Sequence, residues 1–406
     1  MTKVQTVGYW FGDSSINNGG TNSYALRLLE LILSHEKKDL INILIICSHS
    51  NQIDCQKLIE KYDSNAKIAI LPKFNFFQKI INKFSDFFIE IIKEKGFNLQ
   101  FIKEFNFYFH WYKSLNIDLL HIPYPTSPRY DLIYPFIITT HDVQELHYPE
   151  FFTPKERAYR AENYWKSLEF CSGVVVSYDH VKKDIIKYFK LSNEKINVCP
   201  LPYQKISLQQ PSLLEENIYK QKYKLYDYFL LYPAQTWEHK NHLSLIKSLE
   251  IIEKNYDKSV HLICTGRKNS DFFSTIENYL IQSSIANKVH FVDIVPEQEL
   301  YWLYKNCSLV VVPTLYEAGS FPLLEAMSLN APVICSSVTS LPETIQDSRF
   351  IFEPLDLEQM AKLIIQMLED QQLRQENINN GKNRTKELMN IDPFPCYLTL
   401  WNNILE

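Results

Sequence analysis

The 406-residue sequence predicts an α/β protein with two doubly wound domains, each built on a parallel sheet. The chain is long enough for about two domains of about 150 residues or more. Short apolar segments alternate with amphipathic helical segments through most of it. Several of the apolar segments, such as LVVVP at 309–313, carry no polar residue, which is typical of parallel strands covered on both faces.

The segments follow one another in a regular order. Buried strands are predicted at 4–10, 41–47, 67–71, 118–122, 135–140, 173–177, 196–199, 228–232, 259–265, 289–293, 308–313, 332–336 and 349–352. Helices are predicted at 22–34, 155–170, 179–189, 241–254, 271–283, 297–305, 321–329 and 357–369. In the first helix Ala25, Leu28, Leu29 and Ile32 have the spacing of one apolar face.

The alternation is interrupted once, at 200–226, where three prolines occur and no strand is predicted before Tyr228. We therefore place an N-terminal domain at 1–203 and a C-terminal domain at 204–385. The last segment, 386–406, ends in an apolar, aromatic stretch. We expect it to form a helix that packs back across the domain junction.

Composition excludes several classes of protein. Lys plus Arg total 42 against 47 Asp plus Glu, a net charge of −5, without the basic excess of a nucleic-acid-binding protein. The eight cysteines form no C-x-x-C pair and no His/Cys group with zinc spacing, so we expect reduced, buried cysteines and no metal site. Neither an apolar leader nor a run of about 18 apolar residues occurs. These features predict a cytoplasmic protein, with the inner face of the membrane as an alternative location.

Glycine is scarce: nine residues, about 2% of the chain against a usual ~7%. Neither G-x-G-x-x-G nor G-x-x-x-x-G-K-[ST] can be written from their positions, so a dinucleotide fingerprint and a P-loop are both excluded. Gly19 and Gly20 precede a predicted helix. They either bring the backbone close to a phosphate or form a tight turn.

Polar residues follow several predicted strands, where open α/β sheets bind their ligands. His141, Lys240 and Arg267 each lie just beyond a strand. His141 suits a hydrogen bond to a substrate hydroxyl or carbonyl, and the two cations suit a diphosphate. Taken singly, each has a structural alternative: a hydrogen-bonded structural histidine, a solvated lysine and a surface arginine.

The most informative segment is TLYEAGSFPLLEAM at 314–327. Glu317 precedes a predicted helix, and Glu325 lies about one turn inside it. Between them Gly319, Ser320 and Phe321 offer backbone N–H groups at a helix N-terminus, which favours an anion such as phosphate. Glu325 can accept hydrogen bonds from ribose hydroxyls, and Glu317 can accept from a sugar or stabilise positive charge on its ring. The alternative is two ordinary glutamates at a helix start.

The segment 73–115 holds eleven phenylalanines and several lysines. Phe84, Phe87, Phe88, Ile91 and Ile92 form a helical stripe. They indicate either core helices of the first domain or a surface that contacts a membrane or a lipid-linked acceptor.

The sequence resembles the retaining glycosyltransferase family 4, of two-domain GT-B architecture, in pieces that occur in the family's order. These are GG at 19–20, THD at 140–142, YPAQTWEHKNH at 232–242, TG at 265–266, LVVVPTLYEAGSFPLLEAMSLNAPVICS at 309–336 and LPE at 341–343. The long piece carries the family's E-x7-E spacing. The pattern is similar to a bacterial subgroup that builds surface polysaccharides, many of whose members transfer mannose or related hexoses.

The resemblance implies two Rossmann-like domains facing a cleft, with a nucleotide-diphosphate sugar (GDP- or UDP-linked) held by the C-terminal domain. A saccharide or lipid-linked acceptor would enter over the N-terminal domain. The implied catalytic residues are His141 and Glu317, and no metal or other cofactor is required. The implied donor-binding residues are Gly20, Lys240, Arg267, Gly319, Ser320, Phe321 and Glu325.

The sequence departs from the family pattern at one charged position. Gln235 stands at or near the place of the family's second diphosphate cation, an arginine, and Arg267 is a candidate substitute. Two other functions therefore stay open: a non-catalytic sugar-nucleotide-binding partner of another transferase, and a GT-B epimerase that acts on a free nucleotide sugar.

Overall fold

A computed structural model describes residues 5–12, 19–39, 41–93, 106–129, 132–202, 208–223 and 228–406. The chain forms two compact units. The first comprises Met1–Pro202 together with Asp392–Glu406, and the second comprises Tyr203–Ile391.

The first unit is a seven-stranded sheet in the order β3-β2-β1-β4-β5-β6-β7, with every neighbouring pair parallel. Its strands are β1 Thr6–Gly12, β2 Asn42–Cys47, β3 Lys67–Ile70, β4 Leu119–Ile122, β5 Phe136–Thr139, β6 Gly173–Val176 and β7 Ile196–Val198. Its helices before residue 202 are α1 Gly19–Asp39, α2 Gln52–Lys61, α3 Phe76–Lys93, α4 Phe107–Ser114, α5 Gln144–His147, α6 Pro154–Phe170 and α7 Asp179–Phe189.

The second unit is a six-stranded parallel sheet in the order β10-β9-β8-β11-β12-β13. Its strands are β8 Phe229–Pro233, β9 His261–Thr265, β10 Val289–Phe291, β11 Leu309–Val312, β12 Val333–Ser336 and β13 Ile351–Phe352. Its helices are α8 Leu213–Tyr223, α9 His242–Tyr256, α10 Phe273–Gln282, α11 Glu297–Asn306, α12 Phe321–Ser328, α13 Leu341–Ile345, α14 Leu357–Glu369 and α15 Gln371–Asn390.

Two doubly wound parallel sheets confirm the predicted fold class, and each predicted strand segment contains a strand. The continuous apolar strands have the expected cause, because both faces of each sheet are covered. On β5 the side chain of Ile137 joins one core cluster, whereas Phe136 and Ile138 on the opposite face join another. Helix α1 starts earlier than predicted, so Gly19 and Gly20 are its first two residues.

The C-terminal helix α16, Phe394–Leu405, packs on the first unit. The hydroxyls of Tyr397 and Tyr24 lie 2.9 Å apart, and Trp401 Nε1 donates to His121 Nδ1 at 3.0 Å. Burial lowers the pKa of His121 to about 3, so its ring is neutral and can accept this bond. Gly173 makes room for the helix, because a Cβ there would lie 3.0 Å from Ile404 Cδ1.

Cys199 and Cys396 form a disulfide across a sequence separation of 197, so the prediction that all the cysteines are reduced is wrong for this pair. Cys199 follows β7, shortly before the chain leaves the first unit, and Cys396 lies in the first turn of α16, shortly after it returns. Their Cα atoms are 5.7 Å apart. The sequence could not reveal this pairing, because it depends on the docking of α16. The other six cysteines are free and buried.

Because this disulfide closes a long loop, we expect its loss to lower the free energy of unfolding by about 2–4 kcal/mol. Thermal unfolding of the wild type with and without dithiothreitol measures the effect. The Cys396→Ser variant should have the melting temperature of the reduced wild type, and dithiothreitol should not change it. Eight titratable thiols in the denatured, unreduced protein would contradict the disulfide, since the structure leaves six.

Candidate functional site

Three polar loops meet at the carboxyl edge of the second sheet. Strand β8 lies between β9 and β11, so the loops after these strands are neighbours. Main-chain bonds join them: Thr236 N–H donates to Arg267 O at 3.2 Å, and Leu315 N–H donates to His239 O at 2.7 Å. Residues from 234 to 320 that are far apart in sequence therefore share one edge, where a parallel α/β sheet places its ligand site.

Lys240 and Glu317 form an ion pair at this edge. Lys240 Nζ lies 2.5 Å from Glu317 Oε2, and the two side chains are 16% and 14% exposed. The structure thus brings together the predicted diphosphate cation and the carboxylate predicted to lie beside the sugar. Because the pair is mostly shielded from water, its charges interact more strongly than a surface pair would.

The loop that carries Lys240 is held at its backbone. The Tyr232 hydroxyl donates to Lys240 O at 2.9 Å. Asn241 adopts the left-handed conformation at φ +59°, and its Nδ2 donates to Pro313 O and Pro354 O, both at 2.9 Å. Asparagine tolerates this conformation better than most residues. Asn241 therefore ties the lysine loop to the end of β11.

Lys240 is positively charged, whereas the two histidines beside it, His239 and His242, are neutral. Burial, reinforced by the charge of Lys240, lowers the pKa of His239 to about 3, and the same causes act on His242. Both rings are therefore neutral at pH 7. The attraction of this loop for an anion therefore comes from the Lys240 ammonium, while the carboxylate of Glu317 lies beside that ammonium.

Hydroxyl groups beyond β12 hold the main chain of Glu317. Its N–H donates to Thr339 Oγ1 at 3.1 Å, and its carbonyl accepts from Thr339 Oγ1 at 2.7 Å and from Ser340 Oγ at 3.0 Å. Thr339 is itself in the left-handed region at φ +50°. The carboxylate of Glu317 is thus positioned by residues 22 and 23 positions later in the chain.

The N-terminus of α12 follows Glu317 directly. Ser320 is the N-cap of the helix, and its Oγ accepts from Leu323 N–H at 3.4 Å. The residue is 1% exposed. Its hydroxyl therefore serves the helix rather than a ligand, and a contact from Gly319, Ser320 or Phe321 to an anion would come from the backbone.

Glu325 lies one turn inside α12 and is held by α11. The Tyr304 hydroxyl donates to Glu325 Oε2 at 2.7 Å. Burial, with the nearby carboxylate as a smaller cause, raises the pKa of Tyr304 well above its ordinary value, so the hydroxyl stays protonated and donates. A carboxylate has about four acceptor positions, so Glu325 can still accept from hydroxyl groups of a ligand.

Gly266 allows the close approach of two of the loops. Its φ is +112°, and a Cβ there would lie 2.8 Å from Ala234 C and from Gln235 N. Another residue would therefore push the β9 loop away from the β8 loop. Arg267, the next residue, is exposed. Gly319 has no such requirement, since among the glycines in the described ranges only Gly12 and Gly266 have positive φ.

His141 and Gly20 belong to the first unit. His141 follows β5; its Nε2 lies 3.3 Å from Pro123 O, and its ring meets the Tyr24 ring edge-on with centroids 4.8 Å apart. Burial lowers the pKa of His141, so the ring is neutral near pH 7. Their predicted contacts with a donor held by the second unit stay predictions.

The sequence analysis missed the residues that position the site: Tyr232, Asn241, Tyr304, Thr314, Thr339 and Ser340. Sequence position could have identified three of them. Asn241 directly follows Lys240, and Thr339 and Ser340 follow a predicted strand. Tyr304 lies on a helix, where its position gave no such indication.

Comparisons with known proteins match both parts of the chain to glycosyltransferase family models. The family model described as Glycosyltransferase Family 4 matches residues 71–203, and the one described as Glycosyl transferases group 1 matches residues 215–384. The chain is 26% identical over 253 residues to the O-antigen chain mannosyltransferase B of Escherichia coli, covering 62% of this chain and 66% of the relative. It is 28% identical over 219 residues to the O-antigen chain mannosyltransferase RfbU of Salmonella typhimurium, covering 54% and 57%. The matches therefore span less than two thirds of these relatives.

Solved structures share the fold over nearly the whole chain. Anabaena Alr3699/HepE, crystallised with UDP and glucose, has a TM-score of 0.64 at 14% identity, with 98% of this chain and 99% of that chain covered. WaaG, described as a glycosyltransferase involved in lipopolysaccharide biosynthesis, has a TM-score of 0.63 at 15% identity, with 97% and 99% covered. At these identities the likeness establishes the fold alone. With both family models matched in order along its length, the chain belongs to the family 4 glycosyltransferases and has their GT-B fold.

Proposed function

We propose that the protein transfers a hexosyl unit from a nucleotide-diphosphate sugar to a saccharide or lipid-linked acceptor in surface-polysaccharide synthesis, with retention of configuration. The observation that carries the proposal is the Lys240–Glu317 pair beside the N-terminus of α12, with Glu325 one turn further on. The mannosyltransferases among the relatives support a hexose, and the UDP complex of a structural neighbour supports a nucleotide donor.

In this proposal the second unit binds the donor. The Lys240 ammonium and the backbone N–H groups at the start of α12 receive the diphosphate, and Glu325 accepts from the ribose hydroxyls. The same groups stabilise the charge that develops on the leaving diphosphate, so binding and catalysis use one set of contacts. No step requires a metal or other cofactor.

Glu317 and His141 act on the transferred sugar. The carboxylate of Glu317, held beside Lys240, stabilises positive charge on the sugar ring as the bond to the diphosphate breaks. We give His141 and Gly20 the roles that the family resemblance implies: the neutral ring of His141 hydrogen-bonds a sugar hydroxyl, and the backbone of Gly20 contacts the phosphate. The retained configuration then follows from transfer on the face that the diphosphate leaves.

Removing the Lys240 charge should weaken binding of a nucleoside diphosphate by about tenfold to a hundredfold, the value of one charged hydrogen bond. Glu325→Gln should weaken it by a similar factor, because its amide offers fewer acceptor positions to the ribose. Glu317→Gln should not weaken this affinity, because it removes a negative charge beside Lys240, and it should lower kcat, since Glu317 is assigned to the sugar. Calorimetric titration with UDP and GDP, alongside transfer assays, measures these effects.

Lys258→Ala is the matched control, because Lys258 also pairs with a glutamate in the second unit, 3.0 Å from Glu369. Its binding and turnover should equal those of the wild type. Because Lys240→Ala leaves Glu317 unpaired, its melting temperature must be measured too. Unchanged turnover in both Lys240→Ala and Glu325→Gln would contradict the site.

We further propose that Arg267 is the second diphosphate cation. Gln235 stands at or near the position where the family has an arginine with that role. The main chain of Arg267 bonds Thr236, next to Gln235, and its side chain is exposed at the shared edge. Arg267→Gln should weaken nucleoside-diphosphate binding about threefold to tenfold, less than Lys240→Ala, because exposed charges are better screened. Lys268→Ala, at the next exposed cation, is the control. Equal effects of the two variants would show a general surface charge effect.

The same departure at Gln235 favours the non-catalytic alternative over the epimerase. A protein that binds a nucleoside diphosphate but neither transfers nor hydrolyses the sugar of any nucleotide donor would be a sugar-nucleotide-binding partner of another transferase. Interconversion of free nucleotide sugars without an acceptor would instead identify an epimerase.

We propose that α3 gives the protein a peripheral contact with the inner face of the membrane, where a lipid-linked acceptor would lie. Among the helices in the described ranges, none is sufficiently long and apolar to span a bilayer. Helix α3 instead exposes apolar side chains on one side: Phe76 (71% exposed), Phe77 (74%), Ile81 (41%) and Phe84 (62%). Lys73, Lys79 and Lys83 are also exposed.

Over residues 76–85, where its side chains are described, the buried side chains of α3 are polar. Asn82 and Ser85 are buried; Asn82 Oδ1 accepts from Phe107 N–H at 2.8 Å, and Asn106 Nδ2 donates to Ser85 Oγ at 3.4 Å. This polarity is the reverse of an ordinary surface helix and suits an interface with lipid. Of the predicted stripe, Phe84 is exposed, whereas the side chains of Phe87, Phe88, Ile91 and Ile92 lie outside the described residues.

Replacing both Phe76 and Phe77 with serine should lower binding to vesicles of phosphatidylcholine and phosphatidylglycerol by at least tenfold, since each buried phenylalanine contributes about 1.5–3 kcal/mol. Lys79→Glu with Lys83→Glu should abolish the preference for the anionic lipid. Replacing Leu213 and Leu214, an equally exposed apolar pair on α8, is the control. Co-sedimentation measures binding, and equal losses in the control would contradict the assignment.

A further inference from the structure

Trp237 is a large aromatic residue at the shared edge of the second sheet, with 48% of its surface exposed. It lies in the loop after β8, between the loops that carry Arg267 and Glu317. Its backbone is fixed on both sides: its N–H donates to Gln235 O, and its carbonyl accepts from Lys240 N–H, both at 2.9 Å.

The side chain of Trp237 is fixed as well. Its Nε1, the single donor of the indole, donates to Gln235 Oε1 at 3.1 Å. An arginine at position 235 has no acceptor atom and could not make this bond, whereas glutamine can. Gln235 therefore provides the acceptor that orients Trp237.

A half-exposed indole offers its uncovered surface to a ligand at little cost in side-chain entropy, since the residue has two rotatable bonds. The electron-rich face attracts the weakly positive C–H groups that line one side of a hexopyranose ring. Lys240, three residues further on, pairs with Glu317 on the sugar side of the site. Glu325, on the ribose side, is bonded to Tyr304 instead.

We propose that Trp237 is a stacking platform for a hexopyranose ring at the transfer site and that Gln235 is its positioning residue. The inference rests on the proposed function. The ring belongs either to the hexosyl unit of the donor or to the sugar of the acceptor, and both present the same apolar face.

Calorimetry on Trp237→Ala tests the platform with three probes: GDP or UDP alone, the matching GDP-mannose or UDP-glucose, and a synthetic α-linked dimannoside added with the nucleoside diphosphate. We expect affinity for one sugar-bearing probe to fall about tenfold while affinity for the nucleoside diphosphate stays within twofold. A loss with the nucleotide sugar assigns the donor ring, and a loss with the dimannoside assigns the acceptor ring. Ile281→Ala, at an exposed residue on α10, is the control and should change none of the three.

Gln235→Leu tests the positioning role. In the wild-type background it should lower the affinity for the same sugar-bearing probe, but by less than Trp237→Ala does. In a Trp237→Phe background it should have no effect, because the indole N–H is already absent. An equal effect of Gln235→Leu in both backgrounds would overturn that role.

Unchanged affinity for both sugar-bearing probes would overturn the platform. An equal loss for the nucleoside diphosphate alone would also overturn it, because the ring would then contact the base or the diphosphate. A wild-type protein that binds neither GDP nor UDP would contradict the proposed function instead, so the two failures are distinguishable.

Discussion

The ion pair between Lys240 and Glu317 joins residues 77 positions apart, and most of the geometry of the candidate site depends on the contacts that bring them together. The pairing requires β8 and β11 to be adjacent and parallel, so that both loops leave the same edge of the sheet. It also requires Asn241, whose amide bonds Pro313 and Pro354, to hold the two loops at a fixed separation. If this link were lost, the cation and the carboxylate would each remain but would no longer define one site.

Several buried titratable groups near the Lys240–Glu317 pair carry no charge at pH 7. Burial keeps His239 and His242 uncharged, and Tyr304 remains a donor to Glu325. In our proposal a diphosphate meets the Lys240 ammonium, the N–H groups of a helix start and Arg267. Each contact strengthens as negative charge moves onto the leaving group, which is the requirement for lowering a transition-state barrier rather than only binding a substrate.

Much of this arrangement is predictable from the sequence for physical reasons. Strands buried on both faces are continuous apolar runs, so the sheets and their carboxyl edges follow from the pattern. Reactive residues after those strands, such as Lys240 and Glu317, then fall at one edge. The direct contact between them is not predictable, because it depends on the strand order and on the left-handed turns at Asn241 and Thr339. The disulfide between Cys199 and Cys396 cannot be predicted for a similar reason, since the chain must first return from the second unit to the first and place α16 there. The exposed apolar face of α3 depends on the polar contacts of Asn82, which only the packed helix reveals.

A crystal structure of the protein with the nucleoside diphosphate that binds more tightly, GDP or UDP, tests the central claim most directly. The account predicts the diphosphate within hydrogen-bonding distance of Lys240 Nζ and of the N–H groups that begin α12, with the ribose hydroxyls on Glu325. A diphosphate bound elsewhere on the second unit, with the Lys240–Glu317 pair unchanged and Glu325 free of the ribose, would contradict it.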